Sequence, residues 1–502
     1  MDPLTVVLLL ILLIILLSLL FSFEFKRYIM HLSPKKLLPP GPFAWPLIGN
    51  TVLSVSEGQL HVALADLAKN YGPLMMLKFG LVPPLMVASN HLAASEVLKT
   101  QDRACSGRNV AHSVQVPGYI QHSMVWADCT EHWKMVRKIW RTELFSTKMV
   151  DSQTTIREEK VRELMGFLRS REGEVVHLGE VIFGCIINVL GSIIFNKNVY
   201  DYDDDNKDNE KGMKGMIRQL MVLAAKPNLP DFYPVFGPLD LQGIRKTTFE
   251  CVKSMNESWE GIVKERRATK DHSRNDFLDV LIQAHFTDAQ IDALLLEIFG
   301  PGSDTSSCTI EWAMSELIKN TNKLFKLQEE LNRVIGQSRE VRESDLENLP
   351  YLHACLKETL RLHPPVTFLL PHRATETCEV MNCTIPKDSQ IFVNTYSIHR
   401  DPEVWEDPLE FKPERFLNST VDYQGNDFHY IPFGAGRRIC PALNMASRAT
   451  RFILASLVHN FEWSLPGGMK PKELDMGDSF VLVLAKTVPL SVIPRARSSS
   501  TN

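Results

Sequence analysis

Cys440 lies in the segment 432–443, which reads PFGAGRRICPAL and contains no second cysteine and no histidine. One interpretation is a buried structural thiol, because free cysteine is among the most buried residue types. A second is a dinucleotide-binding turn, since the segment contains a G-x-G pattern. That interpretation fails because Ile439 occupies the third glycine position and Pro441 follows where a helix should open.

A third interpretation is that Cys440 is the axial ligand of a haem iron. Thiolate sulfur is a soft and strongly donating ligand, and the neighbouring Arg437 and Arg438 favour the ionised form. Glycines at 434 and 436 let the backbone approach a flat macrocycle closely. The loop therefore indicates a site that needs one thiolate.

A second chemical feature lies in residues 297–307, which read EIFGPGSDTSS. Gly302 leaves room at a helix face, and Thr305 can bond back to the carbonyl four residues earlier, which locally loosens a helix. Asp304 beside such a groove can relay protons. The alternative is a capping pair at a helix break, which Pro301 supports because an interior proline removes a hydrogen bond.

The elements that must position these residues are mostly helical. Segments with a 3.6-residue period cover 60–71, 129–146, 155–170, 178–195, 245–268, 289–320, 322–336 and 350–362. Shorter segments with strand character cover 74–80, 84–89, 390–396 and 480–485. We predict a mainly α fold with a smaller β region. The net charge of −4 gives no reason to expect a nucleic-acid partner.

The N-terminal segment from Leu4 to Phe23 is almost entirely apolar and is long enough to span a bilayer as a helix. Basic residues follow this segment and none precedes it, which argues against a signal peptide and places the body in the cytosol. We predict a membrane anchor helix at 1–25, a basic and proline-rich hinge at 26–45, and the main domain at 46–502. The nine cysteines have no framework spacing, and a cytosolic body keeps its thiols reduced.

The pattern Phe433-x-x-Gly436-x-Arg438-x-Cys440-x-Ala442 resembles the haem loop of the cytochrome P-450 superfamily, whose cysteine binds the haem iron. The family usually has glycine in place of Ala442. The resemblance covers nearly the whole chain and extends to plant enzymes of alkaloid metabolism, namely N-methylcoclaurine hydroxylase, berbamunine synthase and littorine mutase. Stretches that carry it include VWADCTEHWKMVRKIWRTELFSTKM, FGPGSDTSSCTIEWAMSELIKN and NDFHYIPFGAGRRICPAL.

This resemblance implies the cytochrome P-450 fold with haem b bound in residues 46–502, the catalytic domain. The implied haem-contacting residues are Trp133, Arg137, His372, Phe433, Arg438 and Cys440, with Cys440 as the metal ligand. Glu358-x-x-Arg361 matches the family's E-x-x-R helix, and Arg415 in FKPERF completes a cluster for folding and haem retention. Asp304 and Thr305 become the oxygen-activating residues, although the family more often has alanine where this chain has Pro301.

The implied function is that of a monooxygenase anchored by a single span in the endoplasmic reticulum membrane, with the catalytic domain in the cytosol. It uses O₂ and electrons from NADPH-cytochrome P-450 reductase, since no flavin or nicotinamide motif is evident. Lys134 and Lys138 are candidates for docking this reductase, and a solvated helix face explains them almost as well.

The implied substrate is an alkaloid with a tertiary amine. Ala442 and the C-terminal segment 477–490 depart from the benzylisoquinoline hydroxylase pattern, which favours oxidation and rearrangement of the tropane ester littorine. The alternatives are a benzylisoquinoline alkaloid hydroxylase or phenol-coupling oxidase, and a haem-thiolate isomerase that needs no reductase. Asp304 and Thr305 argue against the isomerase. A membrane-tethered haem-binding scaffold without turnover is a further alternative.

Glu297 precedes Thr305 by two helical turns and is a candidate substrate residue, because its carboxylate can pair with a protonated amine. The alternative is that Glu297 bonds neighbouring backbone or a basic side chain. By resemblance, the pocket walls are expected at 108–125, 215–240, 366–370 and 480–484.

Overall fold

Helices dominate the computed structural model, which describes Ile14, Ser18 and residues 37–50, 59–202, 212–269, 276–337 and 339–497. The helices that bear on the site or its support are α1 (Leu60–Tyr71), α2 (His91–Ser95), α3 (Glu131–Ile139), α4 (Thr147–Ser152), α5 (Thr154–Ser170), α6 (Leu178–Phe195), α7 (Met213–Ala225), α8 (Leu229–Phe232), α9 (Ile244–Thr269), α10 (Phe277–Gln283), α11 (Asp288–Lys319), α12 (Thr321–Ile335), α13 (Pro350–Leu362), α14 (Thr395–Ile398) and α15 (Leu443–Asn460). The prediction of a mainly α fold is confirmed.

Short strands form the smaller β region. They are β1 (Leu74–Leu77), β2 (Leu85–Ala88), β3 (Gly107–Arg108), β4 (Val176–His177), β5 (His372–Arg373), β6 (Cys378–Val380), β7 (Cys383–Ile385), β8 (Gln390–Val393), β9 (Phe461–Ser464), β10 (Asp478–Phe480), β11 (Leu484–Lys486) and β12 (Ser491–Ala496). The largest sheet has the order β1-β2-β8-β5-β3, with β2 and β8 parallel and the other neighbours antiparallel. This sheet brings residues 74–108 together with residues 372–393.

The core is built around α11, which begins with a capping box between Thr287 and Gln290. It packs extensively against α6 and also contacts α15. Helix α6 is long and apolar enough to cross a membrane, but it is buried almost throughout its length. It is therefore a core helix, since a helix that is apolar on all sides belongs in the interior of a large protein.

Several elements differ from the prediction in detail. The segment 129–146 forms α3 followed by a short π-helical stretch, Trp140–Leu144, so the predicted helix is not a regular α-helix throughout. The segment 480–485 forms a hairpin in which Phe480 pairs with Leu484, so it is two strands instead of one. Helix α11 continues through Pro301 without ending there.

The N-terminal anchor at 1–25 lies outside the described residues apart from Ile14 and Ser18, and it stays a prediction. The predicted hinge is described from residue 37 onward. There the backbone carbonyl of Pro40 accepts a hydrogen bond from the amide of Met76 at 2.8 Å. Gly41 lies against the Met76 carbonyl so closely that a Cβ atom would meet its oxygen at 1.9 Å. The end of the hinge is therefore held against β1.

Candidate active site

The loop that carries Cys440 is shaped by two glycines. Gly434 and Gly436 have φ angles of 73° and 66°, which a residue with a side chain rarely adopts. A Cβ atom on Gly436 would lie 2.2 Å from the Leu98 carbonyl oxygen. The amide of Cys440 then donates to the Phe433 carbonyl at 3.0 Å, and α15 begins three residues later. The loop thus holds the thiol at the start of a long buried helix.

Three influences act on the pKa of the Cys440 thiol. Burial raises this pKa, while a hydrogen bond from the Ala442 amide and the positive charge of Arg137 lower it. Burial dominates, so the net direction is upward. The sequence interpretation named Arg437 and Arg438 as the cations that favour the thiolate, but the structure assigns that effect to Arg137.

The two arginines of the loop have other contacts. Arg437 pairs with Asp102, with an Nε–Oδ2 distance of 2.7 Å. Arg438 donates to the Ser106 carbonyl at 3.0 Å and to the Ala127 carbonyl at 2.6 Å. These contacts fasten the loop to residues 102–106 and 127.

Trp133 lies between two guanidinium groups. Arg438 is 4.7 Å and Arg137 is 5.8 Å from the centre of the Trp133 ring, both within the range of cation–π attraction. The indole N–H donates to the Met124 carbonyl at 2.9 Å, and Arg137 donates to the Ile439 carbonyl beside Cys440. Trp133 and Arg137 are therefore brought to the thiol loop, with the indole N–H bonded to backbone.

Arg108 is a member of this cation group that the sequence analysis missed. It faces His372 across the β3–β5 pair and donates to the carbonyls of Leu370 at 2.7 Å and Val125 at 3.2 Å. Burial, together with the positive charge of Arg438, lowers the pKa of Arg108 to about 9. A single arginine in the stretch SGRN carries no pattern that could have revealed this role.

His372 lies in the same buried group. Its Nδ1 is 2.8 Å from the Cys105 carbonyl, so this nitrogen carries the proton. Burial lowers the pKa of His372 to about 3, and Arg108 and Arg438 add to the effect. His372 is therefore neutral and acts here as a hydrogen-bond donor.

These residues fit a haem group by their chemistry. The Nη1 atom of Arg438 is buried and has no hydrogen-bond partner among the described residues, which is costly for a charged donor. Burial lowers the pKa values of Arg108, Arg137 and Arg438, so the site disfavours a further cation and favours an anion. The two propionates of a haem are carboxylates that arginine recognises well. Cys440 would provide the soft thiolate for the iron.

A mostly apolar cavity adjoins the cation group. Its walls include Val125 and Leu370, whose carbonyls hold Arg108. They also include Val366, Leu482 and Thr305. The cavity is therefore connected to the cation group through the hydrogen bonds of Arg108 to two of its wall residues.

Thr305 and Asp304 have different surroundings. The Thr305 hydroxyl lines the cavity and donates to the Pro301 carbonyl at 2.7 Å, one helical turn earlier. Asp304 is not among the cavity residues and interacts electrostatically with Arg218 and Lys214 of α7. Burial raises the pKa of Asp304, and these two cations lower it. The hydroxyl thus faces the cavity, and the carboxyl faces the cations of α7.

The surroundings of Glu297 match the alternative interpretation, in which its carboxylate bonds neighbouring backbone. Its buried carboxylate accepts hydrogen bonds from the hydroxyls of Tyr119 (3.0 Å) and Ser123 and from the amides of Met124 (2.7 Å) and Val125 (3.2 Å). Both oxygens are occupied, which leaves little capacity for a substrate amine. This carboxylate fastens the segment 119–125 to α11, and Glu297 also lines the cavity, so direct binding of an amine by Glu297 stays a prediction.

Glu358, Arg361 and Arg415 meet in the interior. Arg361 makes two parallel hydrogen bonds to Glu358, at 2.7 and 2.9 Å, and both side chains are fully buried. Arg415 adds a bond of 3.0 Å to the same carboxylate. Arg361 also donates to backbone carbonyls that precede the FKPERF segment, including that of Glu410 at 3.1 Å. The cluster therefore ties α13 to the chain that leads into the thiol loop.

A lone thiolate, buried cations and an adjoining apolar cavity are together the features of a haem-thiolate protein. Comparison with known proteins supports this class, since the family model of cytochrome P-450 matches residues 39–492. The chain belongs to the cytochrome P-450 family. It is therefore a haem-containing monooxygenase, with O₂ and a small molecule as substrates and a separate protein as electron donor.

Curated relatives match along almost the whole chain. Corytuberine synthase from Coptis japonica is 49% identical over 474 residues, which cover 94% of this chain and 97% of the relative. The probable (S)-N-methylcoclaurine 3'-hydroxylase isozyme 2 from the same plant is 49% identical over 482 residues, or 96% of this chain and 98% of the relative. Berbamunine synthase from Berberis stolonifera is 44% identical over 473 residues, or 94% and 96%.

Proposed function

We propose that this protein is a monooxygenase of plant alkaloid metabolism that oxidises a benzylisoquinoline alkaloid, either by hydroxylation or by phenol coupling. The observation that supports it best is the mostly apolar cavity lined by Thr305 and by Val125 and Leu370, whose carbonyls accept hydrogen bonds from Arg108. The relatives indicate the substrate class, since their names include an N-methylcoclaurine hydroxylase and berbamunine synthase.

The tropane-ester reaction expected from the sequence is not carried forward. It depended on departures at Ala442 and in the segment 477–490, which are a few positions in a chain that matches benzylisoquinoline enzymes over more than nine-tenths of its length. The alternative interpretation, a benzylisoquinoline hydroxylase or coupling oxidase, therefore replaces it.

In this mechanism a bound haem b supplies the binding and reductive activation of O₂. Cys440 would hold the iron through its thiolate, and Arg108, Arg137 and Arg438 would hold the propionates with charge-assisted hydrogen bonds. Phe433 packs with Tyr423 at the loop, at a ring distance of 5.5 Å, and keeps water from the thiol side. These residues fix the cofactor without changing during the reaction.

Proton delivery falls to α11. Thr305 lines the cavity, and its hydroxyl, which donates to the Pro301 carbonyl, would turn into the cavity to deliver a proton there. Asp304, one residue earlier, interacts electrostatically with Arg218 and Lys214 of α7 and would supply the proton that Thr305 passes on. A carboxyl and a hydroxyl that are adjacent on one helix would thus form the route for a proton into the cavity.

The cavity selects the substrate by shape. Its apolar walls, which include Val114, Val366, Leu482 and Trp126, suit aromatic rings and exclude water. Because Glu297 is occupied by its own donors, we assign recognition mainly to the ring system.

NADPH-cytochrome P-450 reductase is the proposed electron donor, and the endoplasmic reticulum membrane is the proposed location. Lys134 and Lys138 are exposed on α3, the helix that also carries Arg137. A docked acidic surface on the reductase would therefore lie close to the thiol loop. The predicted anchor at 1–25 would keep both proteins on one membrane surface.

The test is an incubation of microsomes containing the full chain with reductase, NADPH and a panel of benzylisoquinoline and tropane alkaloids. We expect oxidation of a benzylisoquinoline that depends on NADPH, reductase and O₂. Product from tropane esters alone would refute the substrate class. Product without reductase would favour the isomerase, and a substrate-induced spectral shift without product would favour a haem-binding scaffold.

A further inference from the structure

Two of the nine cysteines form a close pair that the haem site does not use. The Sγ atoms of Cys105 and Cys378 are 3.8 Å apart, although 273 positions separate them in the chain. Both thiols are free. Sulfur atoms at this distance are in van der Waals contact, and a disulfide brings them to about 2.05 Å.

The fold holds the two backbone segments together independently of the sulfurs. The amide of Thr375 donates to the Ala104 carbonyl at 2.7 Å, and Gln101 donates to the Glu379 carbonyl at 3.0 Å. Along the second segment these bonds lie on either side of Cys378, and along the first segment both lie within four residues before Cys105. The pair is therefore fixed by the surrounding structure and does not depend on a chance approach of mobile side chains.

Cys383 provides a built-in comparison. In the β6–β7 hairpin Cys378 pairs with Ile385 and Cys383 pairs with Val380, so all four side chains lie on one face. Cys378 and Cys383 are diagonal neighbours on that face, which places their Cα atoms about 7–8 Å apart. Cys378 and Cys383 therefore share one face of the hairpin, and Cys378 is the one whose sulfur lies 3.8 Å from that of Cys105.

The two thiols of the pair differ in access and in proton affinity. Cys105 is 1% exposed, whereas Cys378 is half-buried. The hydrogen bond from the Cys105 thiol lowers the pKa of Cys378, while the same bond and burial raise the pKa of Cys105. Cys378 is therefore the accessible nucleophile, and Cys105 is the partner beneath it.

We propose that Cys105 and Cys378 are a peroxide-responsive dithiol that closes to a disulfide. The Cys378 thiolate attacks hydrogen peroxide, the O–O bond breaks, and Cys378 becomes a sulfenic acid while hydroxide leaves and takes up a proton. The Cys105 sulfur then attacks Cys378 Sγ, and the sulfenic oxygen leaves as water with the Cys105 proton. Two thiols and one peroxide thus give one disulfide and two waters, and the peroxide is reduced.

The bond would form next to the thiol loop. The Cys105 carbonyl accepts the hydrogen bond from His372, and Asp102 pairs with Arg437. The segment that supports the haem loop would then be joined covalently to the β6–β7 hairpin. Because the cytosol keeps thiols reduced, the dithiol is the resting state and the disulfide forms under oxidant.

The test is peptide mapping of the full-length protein after brief treatment with hydrogen peroxide, alkylation and trypsin digestion. Trypsin releases Cys105 in the peptide 104–108 and Cys378 in the peptide 374–387. We expect these peptides to be joined in at least half of the molecules, with fragmentation placing the link at Cys378 and not at Cys383. A thiol reductant should separate them.

Two variants complete the design. Cys383→Ser should keep the linked peptides, and Cys378→Ser should abolish them while the carbon monoxide spectrum of the reduced haem protein stays normal. A link through Cys383 in the unaltered protein, or Cys378 advancing to sulfinic acid without any link, would overturn the proposal. A link that persists in Cys378→Ser would do the same.

Discussion

Replacing Glu297 with glutamine (Glu297→Gln) should remove a pH-dependent loss of stability from the protein. Burial raises the pKa of the Glu297 carboxyl from 4.5 to about 7, even though Ser123, Tyr119 and two backbone amides donate to it and lower the pKa. The folded state therefore binds a proton more tightly than the unfolded state. The free energy of unfolding falls as the pH rises from 4.5 to 7 and levels off above that window.

The magnitude follows from the two pKa values. One pKa unit corresponds to about 1.36 kcal/mol, and the shift of Glu297 makes the contribution fall by about 2.5 kcal/mol between pH 5 and pH 8. Glutamine does not titrate, so the variant lacks this fall. Its amide also faces donor groups, which costs about 1–3 kcal/mol at every pH. The free energy of unfolding of the unaltered protein minus that of Glu297→Gln should therefore fall by about 2.5 kcal/mol from pH 5 to pH 8.

The assay is urea unfolding of both proteins in the same detergent, followed by tryptophan fluorescence at several pH values. Other titrating groups are shared and cancel in the difference. Tyr119→Phe serves as a second variant, because it removes one donor from Glu297, raises the pKa further and extends the fall above pH 7. Parallel stability curves for the unaltered protein and Glu297→Gln across this range would refute the reasoning.

Three further predictions concern the haem site. Glu358→Gln leaves buried Arg361 without its charged partner and should cost about 3–5 kcal/mol with loss of bound haem, measured by urea unfolding and haem content; full haem retention would contradict the cluster's role. Thr305→Ala should lower product per NADPH about 100-fold while keeping the substrate spectral shift, and Thr305→Ser should restore product; equal yields for both would argue against the hydroxyl. Arg438→Leu should speed haem loss about 10–100-fold, since a charged hydrogen bond contributes about 1.5–3 kcal/mol. Arg437→Leu removes an exposed ion pair and should leave the rate of haem loss unchanged. Equal rates of haem loss in the two variants would contradict the propionate assignment.

The helices were predictable because each carries a sustained apolar period. The segments 60–71, 178–195 and 350–362 coincide with α1, α6 and α13. The strand predicted at 480–485 was less secure, because a turn between Phe480 and Leu484 interrupts an apolar run that gives no sign of it. The apolar period of a segment shows whether it forms a helix or a strand, whereas the position of a turn decides where that element ends.

The site was predictable where its residues lie close together in the chain. The thiol loop and the pair Glu358–Arg361 are local patterns, and the structure brings Arg415 to the same carboxylate. Arg108 was not predictable, because its place beside His372 arises from the pairing of β3 with β5 across more than 260 positions. The donors to Glu297 were missed for the same reason, since they come from the distant segment 119–125.

The measurement that tests the central claim most directly is the carbon monoxide difference spectrum of the reduced full-length protein and of Cys440→Ser. The account predicts a Soret band at the position typical of thiolate ligation in the unaltered protein, and loss of that band together with turnover in the variant. An unaltered protein without this band, or a serine variant that keeps its monooxygenase activity, would contradict the assignment of Cys440 as the ligand of the haem iron.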